Sequence, residues 1–232
     1  SAIARLSCAE TLWRVIHQGL QIAAGEGYLD SHPIERLARD ARCSFLLDGT
    51  HEMLRGFIAL EGLRGPGRHT VDPGVGAREP TQGLTRLRDL AVRTAHQALR
   101  HRRLTRAHPL LVAESEVFEK GVENLYRSAD RALKDHAPEI AEMQFLQMRI
   151  ANLCIDLYAL AACIARASLA IERKGEIGAQ RALDFTRIFC RMAEARMRIN
   201  FEGLDQNDDA LRNAIASRQY VDGAYPFDIL LE

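Results

Sequence analysis

The chain has 232 residues, 47% of them hydrophobic, which is enough for one large or two small domains with a real core. Lys plus Arg and Asp plus Glu both number 31, so the global charge excludes a strongly basic nucleic-acid binder and an acidic tail. Five cysteines, Cys8, Cys43, Cys154, Cys163 and Cys190, are odd in number and form no C-x-x-C pair; they read as buried thiols in a reducing compartment, not as a disulfide framework.

Leu6, Ala9, Trp13, Ile16, Leu20 and Ala23 recur at spacings of three and four, which predicts a helix over 1–24 with a core-facing stripe, stopped by Gly25-Glu26-Gly27. Arg5, Glu10 and Arg14 within it break any signal-peptide apolar region. Ser31 and Pro33 open a short helix to about Arg42, and Asp48-Gly49-Thr50 starts another that runs to Leu63. Glycines and prolines from Gly62 to Pro80 then mark a linker over 64–82, the one internal boundary. Residues 1–63 are thus part of a bundle, and 83–232 form an additional helical domain.

That domain opens with Leu84, Leu87, Ala91, Ala95 and Ala98 on one helical face and Arg86, Arg88, Arg93 and Arg100 off it, extended by Arg102, Arg103 and Arg106. Residues 61–110 hold ten Arg against four acids, which predicts a basic amphipathic helix near 83–106, a solvated face, a protein contact or an anionic membrane surface. Three long helices follow, over about 110–136, 139–174 and 177–201, then a short one over 207–218. The apolar run Ile150 to Ile171 contains Asn152, Asp156, Arg166 and Ser168, costly at a bilayer centre, so it reads as a buried bundle helix. No period-two pattern occurs, and the fold class is all-α.

Chemistry concentrates in Leu47-Asp48-Gly49-Thr50-His51-Glu52-Met53-Leu54-Arg55. Gly49 allows a tight turn, Thr50 can cap the helix and Glu52 sits in its first turn, so Asp48 projects from a rigid junction and is placed to act as a base. The plainer role is a helix-flanking carboxylate favoured by the N-terminal dipole. Arg39, Asp40 and Arg42 read as a structural ion-pair cluster. The eight histidines show no ligand spacing, so no metal is expected.

Three ordered segments, Gln21 to Tyr28, Arg39 to Arg42 and Asp48 to Arg55, resemble motifs of the C-terminal portion of acyl-CoA dehydrogenases: Gln-x-x-Gly-Gly-x-Gly-Tyr/Phe, Arg-Asp-x-Arg/Lys and Glu-Gly-Thr-Asn-Glu-Ile-x-Arg. Arg149 to Leu160, followed by Arg166-Ala167-Ser168, is similar to the extra helical domain of the very-long-chain members. The resemblance implies the C-terminal helical bundle of that fold followed by an additional helical domain. It implies FAD as cofactor and long-chain acyl-CoA as substrate: a carboxylate removes the α proton while the β hydrogen leaves as hydride, giving trans-2-enoyl-CoA. Asp48 takes the base's position, Leu47 and Gly49 border the thioester, and Thr50, His51 and Glu52 contact FAD. Gln21, Ile22, Ala23, Ala24 and Gly25 match the segment that approaches the adenosine diphosphate part of FAD from a neighbouring subunit.

The chain departs from the pattern at three positions: Asp48 stands for Glu, Ala24 for the first glycine of the pair, and His51 for Asn. Shortening a base by one methylene retracts its oxygens by on the order of 1 Å, and misplacement of that size can cost ~10²-fold in rate. The family's N-terminal helical and middle β domains are not encoded in these residues. The expectation is therefore a fragment, or one subunit of a split enzyme whose partner is the N-terminal half, in a homodimer or heteromer without nucleic acid. The expected compartment is the bacterial cytoplasm or mitochondrial matrix, with peripheral contact to the inner membrane through the Arg-rich stretch. The alternative is a catalytically silent helical scaffold for complex assembly or membrane docking.

Overall fold

The computed structural model describes residues 1–47, 49–67, 104–136 and 139–223, and these are helical with no strand among them. Helix α1 (Ala2–Ala23) buries Leu6, Ala9 and Ile16, the stripe expected from the spacing, while Trp13, Leu20 and Ala23 are half-buried. It ends on Ala24, whose φ of 51° and ψ of −135° place a residue with a Cβ in backbone space that favours glycine. The glycine expected to stop the helix, Gly25, lies inside the 3₁₀ turn Ala24–Tyr28 that follows.

Helix α2 (Pro33–Cys43) starts on a proline whose missing N–H costs nothing at that position, and the ring nitrogen Nδ1 of His32 accepts from the Ile34 amide at 3.3 Å. Ile34 then packs onto α1 so tightly that a Cβ on Gly19 would lie 2.5 Å from its Cδ1. Helix α3 (His51–Gly67) runs four residues past the expected end at Leu63, so the linker's first residues are helical; the rest of it, and the basic helix over 83–103, lie outside the described residues. Residues 104–106 form an irregular turn, not the end of a helix: the Ala107 amide bonds the Leu104 carbonyl at 3.3 Å and the Leu104 amide bonds Glu119 Oε1 at 2.6 Å.

A 3₁₀ turn (Pro109–Leu111) leads into α4 (Val112–His136). The helical run Gln144–Asp205 has a single break, at Gly175, with φ 70° and ψ 173°. Hydrogen bonds cross between its two arms, from Thr186 to the Cys163 carbonyl, from Arg196 to Asp156 and from Asn152 to Asn200, so 144–174 (α5) and 176–205 (α6) are antiparallel. Gly175 is where a positive φ lets the chain reverse between two helices that the sequence already separates at Lys174 and Ile177. The start at Gln144, and not at Glu139, follows from Gln147, whose amide donates to the carbonyls of Ile140 and Ala141 at 2.8 Å each and holds 139–142 as a turn. Helix α7 (Asp209–Asp222) is clamped to α5 by Arg149 donating to both oxygens of Asp209 at 2.6 Å.

The α5 arm is apolar enough to cross a bilayer by composition, yet Leu153, Leu157, Leu160, Ile164, Ala167 and Ile171 are buried within the bundle. Packing there is close: a Cβ on Gly121 of α4 would meet Leu157 Cδ2 at 2.7 Å. The two expected domains also meet in one core. Leu6, Ile58, Ala59 and Leu63 cluster with Ala129, Leu133, Leu146, Ile150 and Ala151, each large apolar side chain contributing about 1.5–3 kcal/mol by burial.

Candidate functional site

The residues singled out from the sequence fall at two ends of α1. Gln21, Ile22, Ala23, Ala24 and Gly25 occupy its C-terminal end, where Gln21, Ile22, Ala24 and Gly25 are exposed. A Cβ on Gly25 would meet nothing within 4 Å, so this backbone faces open space and is accessible to a group arriving from outside.

Leu47, Gly49, Thr50, His51 and Glu52 gather at the other end. Arg5, in the first turns of α1, donates a hydrogen bond to the Leu47 carbonyl, and His51 lies against Glu10. Roughly 24 Å of helix separates Arg5 from Gln21, and roughly 16 Å separates Glu10 from Gln21. One copy of the chain therefore does not bring the two groups of residues together. Asp48 lies outside the described residues.

Gly49 has a φ of 95°, the left-handed turn its sequence position requires. Thr50 caps α3: its Oγ1 accepts from the Met53 amide at 3.3 Å and its carbonyl from the Leu54 amide at 3.0 Å. The Glu52 carboxyl is held below the usual carboxylate range, chiefly by its own backbone amide and further by the Thr50 hydroxyl, with desolvation opposing. Leu47 is exposed at 62%, an apolar side chain at the edge of the junction with no cover of its own.

The side chain of His51, one of the residues expected to contact FAD, is turned into the protein. It is 2% exposed, stacked on Phe45 with ring centroids 4.0 Å apart, and its Nδ1 lies 3.5 Å from Glu10 Oε1. The imidazole is turned inward because Phe45 closes the junction from outside, so any contact with a cofactor falls to the His51 backbone.

Beside the junction is a cleft of about 480 Å³ between α1, α5 and α6, walled by Trp13, Phe45, Phe189 and Ile199. Across it runs a polar chain that the sequence did not announce. Glu10 accepts from Arg55 at 2.5 Å, Arg55 Nε donates to Asn152 at 2.9 Å, and Asn152 donates to Asn200 at 3.3 Å. One turn along, Asp156 is 6% exposed and accepts three bonds from Arg196, the shortest at 2.6 Å. The signal available was Asn152 and Asp156, four apart in an otherwise apolar run, a spacing that puts both on one helical face. Arg42 leaves the expected ion-pair cluster and lies over the rings of Trp13 and Phe45 at 5.7 and 5.3 Å, while Arg36 pairs with Asp40 and Arg39 with Glu35.

Residues 1–63 match the family model described as "Acyl-CoA dehydrogenase, C-terminal domain", and residues 109–219 match "ACAD9/ACADV, C-terminal domain". The chain is 29% identical over 227 residues to the bovine (Bos taurus) mitochondrial very long-chain specific acyl-CoA dehydrogenase, covering 92% of this chain and 33% of that protein. The human (Homo sapiens) counterpart is 28% identical over 215 residues, covering 89% and 32%. A stretch of 64 residues, 28% of the chain, is 42% identical to the rat (Rattus norvegicus) mitochondrial short-chain specific acyl-CoA dehydrogenase, of which it covers 16%. Among solved structures, an acyl-CoA dehydrogenase of Bacillus anthracis complexed with FAD superposes with a TM-score of 0.69 at 20% identity, over 98% of this chain and 36% of that one, which is a likeness of fold. The chain spans about a third of the length of the curated very-long-chain relatives it matches.

Proposed function

Because this chain belongs to the acyl-CoA dehydrogenase family, as the C-terminal portion of the very-long-chain type, we propose that it serves FAD-dependent α,β-dehydrogenation of long-chain fatty acyl-CoA to trans-2-enoyl-CoA. The observation that carries this reading is the capped junction Leu47 to Glu52, built at the motif position of the base and anchored to α1.

In this reading the Asp48 carboxylate takes the α proton of the acyl thioester. Leu47 and Gly49 border the thioester, and the exposed apolar Leu47 helps to keep water from the carboxylate, which raises its affinity for the proton. FAD, when bound, supplies the hydride acceptor. Thr50, the His51 backbone and Glu52 hold it beside the junction, while Gln21, Ile22, Ala23, Ala24 and Gly25 reach the adenosine diphosphate part of a second subunit's cofactor. The two ends of α1, roughly 24 Å apart, support a site shared between subunits, in a homodimer or a heteromer that includes the N-terminal half of the enzyme.

The proposed setting is a reducing compartment, the bacterial cytoplasm or the mitochondrial matrix, with the Arg-rich stretch from Gly83 to Arg106 meeting the inner membrane peripherally. The test is to purify the chain in its native assembly. Flavin absorbance together with trans-2-enoyl-CoA formed from a long-chain acyl-CoA is expected, and an assembly free of flavin contradicts the proposal.

The second reading is a silent helical scaffold. It is favoured by the inward-facing His51 and the strained Ala24, each at a position where the family's pattern has another residue. Strong dehydrogenase activity of an Asp48→Glu assembly excludes pure scaffolding. Salt-insensitive failure to float with anionic liposomes removes membrane docking.

A further inference from the structure

A buried imidazole with no hydrogen bond is expensive, and such groups in native proteins call for an explanation. Among the described residues neither nitrogen of His51 has a hydrogen-bond partner. Its Nδ1 nevertheless stands 3.5 Å from Glu10 Oε1, a distance that closes to a hydrogen bond by a shift of a few tenths of an ångström. The same Oε1 accepts from Arg55 at 2.5 Å. Glu10 therefore faces two side chains of the first turns of α3, one permanently cationic and one that becomes cationic by taking a proton.

The ring is also the base of a stack. Phe45 lies on it, Trp13 meets Phe45 edge-on with centroids 6.0 Å apart, and the Arg42 guanidinium covers both outer rings. Among the described residues, the charged groups around the imidazole are Glu10 of α1, Arg55 and Glu52 of α3, and Arg42 of α2 across Phe45. Neutral His51 can meet Glu10 only through its Nδ1–H tautomer, a bond that becomes charge-assisted once the second nitrogen is protonated. Protonated His51 donates to Glu10, so that the carboxylate is held between two cations and the stack is drawn onto α1.

We infer that His51 is a positioning residue whose proton, shared with Glu10, locks residues 44–47 and the start of α3 onto α1. The lock follows from the geometry alone; its bearing on the reaction rests on the reading of Leu47 to Glu52 as the edge of the site. Through Arg55 the lock continues to Asn152 and Asn200, so the helical hairpin shares in holding the junction.

The test is an NMR titration of the full chain from pH 5 to 8, following the His51 imidazole and the indole N–H of Trp13, the single tryptophan. A His17→Asn background removes the imidazole one helical turn from Trp13. The lock predicts a Trp13 shift that tracks His51 protonation and disappears in His51→Asn, which is similar in reach and takes no proton. In Glu10→Gln, where the imidazole is kept, the Trp13 response falls severalfold. A Trp13 resonance that ignores His51, or follows it equally in Glu10→Gln, overturns the lock. In the assembled enzyme the pH profile of turnover is compared for wild type and His51→Asn. A changed profile upholds lock and site together, and an unchanged one beside a Trp13 response upholds the lock and overturns only the reading of the site.

Discussion

The first 67 residues and the helical hairpin that follows obey different packing logics. Residues 1–67 expose more large apolar side chains than they bury, with Leu12, Val15, Ile22, Tyr28, Met53 and Phe57 all more than 45% exposed. The described residues from 104 on come much nearer to balance, with 12 large apolar side chains buried against 15 exposed where the first region has 4 against 10, and hold two clusters of their own, around Leu160 and Leu183 and around Leu153 and Met197. The hairpin is a self-supporting core. The first region has only the core it shares with the hairpin and presents the remainder of its apolar surface outward, as a segment of a larger bundle does.

This contrast can be broken by mutation. Leu160→Ala, at a fully buried position on α5, lowers stability by about 3–4 kcal/mol, whereas Leu12→Ala, at a position 47% exposed, changes it by less than about 0.5 kcal/mol; urea unfolding compares them. Equal losses at both positions mean that the first region carries a core of its own. Arg196→Leu leaves the Asp156 carboxylate buried without its partner and costs about 2 kcal/mol, a figure below that of a sealed pair because Arg196 is 38% exposed.

Ala24→Gly works in the opposite direction. Relief of the positive φ outweighs the entropy that glycine adds to the unfolded chain, for a net gain of about 1 kcal/mol measured by thermal unfolding. The smallest effect concerns the thiols. Burial pushes Cys154 and Cys163 up and Cys190 up to about 11, while Cys8 and Cys43 are exposed, so iodoacetamide at pH 8 labels the first region before the hairpin, as read by mass spectrometry. The unfolded Cys190 thiol gives up its proton first, near 9.0. Its contribution to stability is therefore intact below that pH and declines as pH rises toward 11.

What could be read from the chain was whatever is local. The stripe Leu6, Ala9 and Ile16, the Pro33 start, the Thr50 cap and the break at Gly175 each follow from spacing or from one residue's backbone preference. The polar chain across the cleft joins residues 45, 97 and 48 positions apart, and no periodicity encodes such pairings. Glu10 read only as a charge on a helix, and Arg55 only as the last residue of a motif. His51 read only through the resemblance, as a residue in contact with FAD. Its burial depends on Phe45 closing over it, which requires α1, α2 and α3 to be in place together.

We propose that the junction from Leu47 to Glu52 carries the base of an acyl-CoA dehydrogenation. The most direct test is enoyl-CoA formation by the assembled enzyme carrying Asp48→Asn, with flavin content measured on the same sample. Flavin is expected to be retained while product formation falls on the order of 10²–10⁴-fold, the contribution of a positioned general base. Flavin retained with turnover unchanged contradicts the proposal.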